Sequence, residues 1–144
     1  MSVTIDVKRA NVYADVQKTT AYEGAHSGAF DNVFSKPEDK EMLERYWTEA
    51  SAFVTDLLKK YITSLTNNNT GYTAILALPS NFDVAMTAPM NEAAYTYMCN
   101  YIIGKWLEML SIEKSAAYIT AATQSFNELK TLLLHRVTPK RPTD

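Results

Sequence analysis

The sequence is poor in the residues from which catalytic and metal sites are usually built. Its 144 residues include one cysteine, two histidines and four glycines. A disulfide framework needs paired cysteines, a zinc site needs several cysteine or histidine ligands, and a phosphate-binding loop needs clustered glycines. The composition therefore argues against an enzyme of these kinds, and we expect no cofactor and no small-molecule substrate.

An excess of charge and a long apolar run are also missing. Lysine and arginine number 14 against 16 acidic residues, for a net charge of −2, whereas a nucleic-acid binder usually carries a basic excess. The most apolar stretch, residues 74–78, is far shorter than the roughly 20 residues of a membrane-spanning helix. Residues 1–9 alternate in polarity, unlike an export signal. We expect a cytoplasmic protein without membrane contact, and nucleic acid is not expected as its main partner.

Two short segments have the pattern of β-strands. In residues 3–7, the apolar Val3, Ile5 and Val7 alternate with polar residues, which is typical of a strand with one buried face. Residues 72–78 are apolar and lie between Gly71 and Pro79. We predict that the two segments pair as a two-stranded β-ribbon, which needs helices to cover it.

Helical periodicity begins in the first half of the chain. Residues 11–25 predict a short helix, and residues 27–34 predict a connector that its phenylalanines attach to the body. The sequence from Ser35 to Glu38 matches a capping box. A long helix is predicted from there through Leu65, ended by the turn residues 67–71.

The second half predicts two further helices. The third begins near Thr87 and is apolar nearly all round, so it is predicted either to be central to the domain or to be covered by another copy of the chain. Gly104 permits a close helix crossing. Ser111 is predicted to cap a last helix over residues 112–137, which Pro139 ends.

These elements predict one mainly α domain. It spans residues 1–138 and is a small bundle of three to four helices with a short two-stranded β-ribbon. Residues 139–144 are predicted to form a short exposed tail. An average composition, with 47% hydrophobic residues, is consistent with a single core.

Few residues qualify as catalytic or metal-binding candidates. Glu23 and His26 have the Glu-x-x-His spacing of di-metal helical bundles, but His135 has no glutamate three residues before it. Cys99 lies in an apolar helical pattern, which indicates a buried, unreactive thiol. We therefore predict no catalytic, cofactor-binding or metal residues.

Aromatic and basic residues offer candidates for contact with a partner. Tyr95, Tyr97 and Trp106 are candidate interface residues, because tyrosine and tryptophan are favoured at interfaces. Half-buried core is the alternative for these rings. The cations Arg136, Lys140 and Arg141 could contact phosphate or an acidic partner, or form a solvated tail.

Three segments of the sequence carry a resemblance that covers most of the chain. They are residues 20–24 (Thr-Ala-Tyr-Glu-Gly), residues 41–50 (Glu-Met-Leu-Glu-Arg-Tyr-Trp-Thr-Glu-Ala) and residues 104–106 (Gly-Lys-Trp) before a helix and a basic tail. In these segments the sequence resembles uncharacterised prophage-borne proteins of gut bacteria. Such proteins are similar in size and helical content to head-tail connector and head-completion proteins of tailed phages. The resemblance implies rings between portal and tail and carries no catalytic motif.

We therefore expect a non-enzymatic, phage-type assembly protein, such as a head-tail connector or neck component. Its partners would be copies of itself or other virion proteins, and it would be located in the host cytoplasm or associated with the virion. The alternative is a small helical adaptor that binds another protein and has no virion role. A third, weaker hypothesis is a metalloenzyme that uses Glu23 and His26.

Overall fold

The computed structural model describes residues 1–27 and 37–138. Its elements, in chain order, are β1 (Ser2–Lys8), α1 (Arg9–Ser27), α2 (Pro37–Leu58), β2 (Ile62–Asn67), β3 (Gly71–Ala77), a single 3₁₀ turn (Val84–Met86), α3 (Thr87–Leu107) and α4 (Ile112–Leu133). The predicted connector beyond Ser27, the capping serine Ser35 and the tail 139–144 lie outside the described residues. The mainly α fold class is confirmed.

The strands form one antiparallel sheet in the order β1-β3-β2. The predicted pairing of the N-terminal strand with the strand after Gly71 is confirmed, with Val3 opposite Leu76 and Ile5 opposite Ala74. Along β1, buried and exposed side chains alternate, as the sequence pattern predicts. One face of the sheet therefore carries core residues and the other face is open to solvent.

The predicted end of the second helix is wrong. Helix α2 ends at Leu58, and the chain turns where the Tyr61 amide donates to the Leu58 carbonyl at 2.8 Å. Residues 62–67 then form β2, which pairs with β3. Tyr61 and Leu65 fit the helical spacing, but this segment is rich in threonine and finds a ready strand partner in β3. The predicted two-stranded ribbon is consequently a three-stranded sheet.

The asparagine-rich turn has a different role from the predicted one. It joins β2 to β3 as a hairpin, because the Asn68 amide donates to the Gly71 carbonyl at 3.1 Å. The Asn68 side-chain oxygen also accepts from the amide of Thr70 at 2.9 Å. Asparagine and glycine suit hairpin turns as well as helix ends, so composition alone did not distinguish the two.

Helix α3 lies at the centre of the molecule, which is the first of the two alternatives that its apolar surface predicts. It contacts α1, α2, α4 and β1. Its fully buried side chains include Met90, Met98 and Ile102. The predicted close crossing at Gly104 is also confirmed, since a Cβ built there would lie 2.6 Å from Cδ1 of Ile119 on α4.

Helix α4 begins as predicted but ends earlier. Ser111 caps it, and its side chain accepts from the Lys114 amide at 3.4 Å. The helix stops at Leu133 rather than at residue 137. The reason is tertiary: the Val137 amide donates to the Asn81 carbonyl at 2.8 Å, next to the buried anchor Phe82. Among residues 1–27 and 37–138, no helix has the length and apolarity needed to cross a membrane.

Candidate protein interaction surfaces

Glu23, half of the candidate metal pair, takes part in a structural contact. Its carboxylate lies 2.9 Å from the Lys114 ammonium and accepts from the Tyr118 hydroxyl at 3.4 Å. These contacts tie α1 to α4. The side chain of His26 lies outside the described part. Within the described ranges, no three His, Cys, Asp or Glu side chains are grouped so that they could hold a metal ion.

Cys99 is buried, as the sequence predicts, with 7% of its surface exposed. Burial raises the pKa of its thiol to about 12, so very little thiolate exists at neutral pH. The neighbouring Tyr95 hydroxyl donates to the Asp15 carboxylate, and burial raises the pKa of Tyr95 as well. These groups link α3 to α1 and are poorly suited to nucleophilic chemistry.

The three candidate interface aromatics lie mostly inside the chain. Tyr97 and Trp106 are only 5% and 7% exposed. The Tyr97 ring packs against Phe126 of α4 at a centroid distance of 5.2 Å. Tyr95 is half-buried against α1. A partner would therefore find most of its contact surface elsewhere.

Bulky apolar side chains project at the turn between α3 and α4. Met109, Leu110 and Ile112 are 66%, 40% and 80% exposed. We call these three residues the apolar knob. Leu107 is the last residue of α3 and Ile112 the first of α4, so the knob lies where the chain passes from one helix to the next. In the sequence, the feature that could have predicted this surface is the position of three apolar residues beside the helix-capping Ser111.

An aromatic groove opens between α2, α3 and α4. It has a volume of about 230 Å³ and is lined by Phe53, Tyr97, Tyr101, Ile119, Ala122, Thr123 and Phe126. Phe53 is 50% exposed, and its ring meets Tyr101 edge-on at a centroid distance of 5.8 Å. The Tyr101 hydroxyl donates to the Glu49 carboxylate at 2.9 Å, which fixes that wall of the groove. The groove is apolar enough to accept a hydrophobic side chain.

Another cleft, of about 720 Å³, is open and has polar residues of β1 and α3 in its lining. Several of these polar groups already bind one another. Asp6 pairs with Lys8 at 3.3 Å and accepts from the Thr73 hydroxyl at 3.1 Å. The Asn91 side chain is likewise engaged with β1, at Asp6 and Thr4. The side chains of Asp6, Lys8 and Asn91 are therefore already engaged within the chain.

Of the basic candidates, the described structure includes Arg136. Its guanidinium donates to the carbonyls of Leu133 and His135 at 2.8 and 3.0 Å and lies 6.0 Å from the centre of the Phe82 ring. Arg136 thus stabilises the end of α4, while Lys140 and Arg141 lie outside the described residues.

No protein-family model, curated protein or solved structure matches this chain, so the roles of its candidate surfaces follow from its own residues.

Proposed function

We propose that this protein is a non-enzymatic assembly protein of phage type, a head-tail connector or neck component that acts through contacts between copies and with other virion proteins. The observation that carries the proposal is the apolar knob. Its outermost residue, Ile112, has 80% of its surface exposed. Contiguous exposed apolar surface marks interaction sites in soluble proteins.

The knob is not explained by a shortage of core. The chain buries large side chains throughout, among them Trp47, Tyr72 and Phe82. Covering an exposed isoleucine contributes about 1–2 kcal/mol of association free energy, from about 25 cal/mol for each Å² of apolar surface. Met109 and Leu110 add to that term. Covering all three residues therefore favours association by more than the isoleucine does alone.

The polar groups support a role in assembly rather than in catalysis. Glu23 binds Lys114 and Tyr118, and Tyr95 binds Asp15. Each of these contacts joins two helices. Catalytic acids and bases need hydrogen-bonding capacity that remains free for a substrate. Glu23 and Tyr95 use theirs to hold the fold.

Ring assembly needs two different faces of one subunit that meet on its neighbours. The knob and the aromatic groove are such a pair of faces, since the first projects and the second is concave and lined by Phe53 and Phe126. If the knob of each subunit binds the groove of the next, this head-to-tail contact forms a ring when the rotation between neighbouring subunits adds up to a full turn.

Light scattering coupled to size exclusion tests the proposal over a range of protein and salt concentrations. We expect a discrete species of many subunits. Ile112→Ser should reduce it to smaller species, because it removes the most exposed apolar side chain of the knob. Val84→Ser is the matched control, since Val84 is 59% exposed but lies outside the knob. A species no larger than a dimer at every concentration would contradict the connector ring and favour the helical adaptor.

A further inference from the structure

The two edge strands of the sheet, β1 and β2, differ in whether other side chains cover their outer backbone groups. At the β1 edge, the side-chain oxygen of Asn91 accepts from the Asp6 amide at 2.7 Å. Its side-chain nitrogen donates to the Thr4 carbonyl at 3.0 Å. The amide of Asn91 thus makes the two hydrogen bonds that a neighbouring strand would make. The β1 edge is closed over this stretch by the protein's own side chain.

The β2 edge lacks such a cover in the part of the chain that the structure describes. Strand β2, Ile62–Asn67, is exposed from its second residue onward. It contains no charged residue and no proline, which are the residues that commonly protect sheet edges. One irregularity interrupts its pairing, between Ile62 and Ser64. The rest of the strand offers its outer backbone groups to another strand.

A trough runs along helix α2 and reaches the end of β2 at Asn67. It has a volume of about 370 Å³ and is lined by Thr48, Ser51, Ala52, Thr55, Asp56, Lys59 and Asn67. Helix and strand are held together at one end of this α2–β2 trough, where the Trp47 indole donates to the Asn67 side chain at 2.9 Å. Most lining residues are small, so another helix or strand can approach closely.

One side chain in the trough lacks a partner. Ser51 is only 2% exposed, and its Oγ has no hydrogen bond with any described residue. Buried polar groups in folded proteins are nearly always paired. An unpaired hydroxyl directly beneath an open trough is therefore a second, independent observation that singles out this wall of the molecule.

The charges along the same side of α2 indicate which molecule binds in the α2–β2 trough. Glu41 and Glu44 lie at intervals of three and four residues with Thr48, Ala52, Thr55 and Lys59, so they share one side of the helix. Glu41 and Glu44 lie toward its N-terminus, Asp56 lies near its C-terminal end, and Lys59 follows its last residue, Leu58. Lys59 is 73% exposed, with Asp56 as an ion-pair partner at 3.0 Å. An antiparallel second copy of this surface brings opposite charges together at both ends.

We infer that two copies of this chain associate through the α2–β2 trough, about a two-fold axis. The β2 edges pair antiparallel, which joins the two sheets into one of six strands, and the α2 helices pack side by side. With the axis between Ser51 and Ala52, Glu44 faces Lys59 of the partner subunit, and Thr48 faces Thr55 of the partner subunit. The same patch serves both subunits, as a two-fold interface requires.

This inference goes beyond the proposed function, because it assigns a surface and a symmetry to self-association and does not depend on a role in a virion. It also uses different residues from the knob. Loss of large species in Ile112→Ser with the pair retained would support both proposals. A wild-type dimer that never grows larger would contradict the connector ring while supporting the trough interface.

The first test compares two substitutions of an exposed alanine on a helix. Ala52→Glu places a long acidic side chain in the trough, and Ala116→Glu makes the same change on the exposed side of α4. By sedimentation equilibrium, we expect wild type and Ala116→Glu to form even-numbered species built on twice the 16.2 kDa chain mass. Ala52→Glu should raise the dimer dissociation constant at least tenfold while the far-UV circular dichroism stays unchanged.

A second test addresses the strand pairing directly. With the axis near Leu65, Ser64 lies opposite Thr66 of the partner subunit. The double variant S64K/T66K then opposes like charges across the edge, whereas S64K/T66E opposes unlike charges. We expect the first pair of changes to dissociate the dimer and the second to restore it. The inference would be overturned if the wild-type protein were monomeric at every concentration. It would also be overturned if Ala52→Glu and S64K/T66K left the dimer dissociation constant unchanged. A trough that binds another protein instead of a second copy would give one of these results.

Discussion

Gly71, the first residue of β3, is the position where the structure tolerates a side chain least. Its φ of +158° lies in a region that residues with a Cβ rarely adopt, and a Cβ built there would overlap the carbonyl oxygen of Val7. It would also lie 3.2 Å from Cα of Lys8, which pairs with Gly71 in the sheet. The obstructing atoms are backbone atoms of β1. They can move only if β1 and β3 separate.

We expect Gly71→Ala to lower the free energy of unfolding by about 3 kcal/mol. Backbone strain contributes about 1–3 kcal/mol and overpacking contributes a similar amount. Urea denaturation followed by far-UV circular dichroism measures this loss as a lower midpoint with an unchanged slope. A loss of this size is large for one methyl group and follows from the sheet register, in which Lys8 lies opposite Gly71.

Gly104→Ala is the matched control, because the same atom is added beside a neighbour that can move. The nearest atom there is Cδ1 of Ile119, at the end of a side chain, at 2.6 Å. Alanine also gains about 1 kcal/mol of helix propensity over glycine, which offsets part of the overlap. We expect a net loss of about 1 kcal/mol or less. If Gly71→Ala proved no more costly than Gly104→Ala, the account of the β1–β3 contact would be refuted.

Two buried side chains and one contact at the sheet edge lead to three further predictions. Burial raises the pKa of Tyr97 from 10.0 and of Cys99 from 9.0, each to about 12, so the folded state favours their neutral forms. The contribution of these two groups to the free energy of unfolding should be fully present below pH 9 and should be lost between about pH 9 and 12. Urea denaturation at pH 8 and pH 11 measures this decline, which Tyr97→Phe should lessen, and a flat profile would contradict it. Cys99 should resist alkylation at pH 8 in the folded protein and react once urea is added, as mass spectrometry can show; rapid labelling without urea would rule out a buried thiol. Asn91→Ala should lower the free energy of unfolding by about 1–2 kcal/mol, because it removes the hydrogen bonds of the β1 edge. Asn127→Ala, on the exposed side of α4, is its control, and equal stability of the two variants in urea would show that the edge is not held in this way.

The sequence by itself determined the elements whose pattern has a single interpretation. Alternation of Val3, Ile5 and Val7 predicts one buried face, and that face is buried. A helix that is apolar all round has to be surrounded, and α3 contacts helices and a strand. Gly104 in such a helix indicates a close crossing, and Ile119 fills the space above it. In each case, the local pattern specifies which surface has to be covered or closely approached.

Tertiary structure decided the features for which local chemistry allows two arrangements. Residues 62–67 fit a helix or a strand, and the free side of β3 selected the strand. Leu134 to Val137 could have continued α4, but pairing of Val137 with Asn81 ended it. The burial of Tyr97 and Trp106, the open β2 edge and the unpaired hydroxyl of Ser51 likewise depend on which elements pack together. Such properties arise from contacts between residues distant in the chain, and periodicity along one segment contains no information about them.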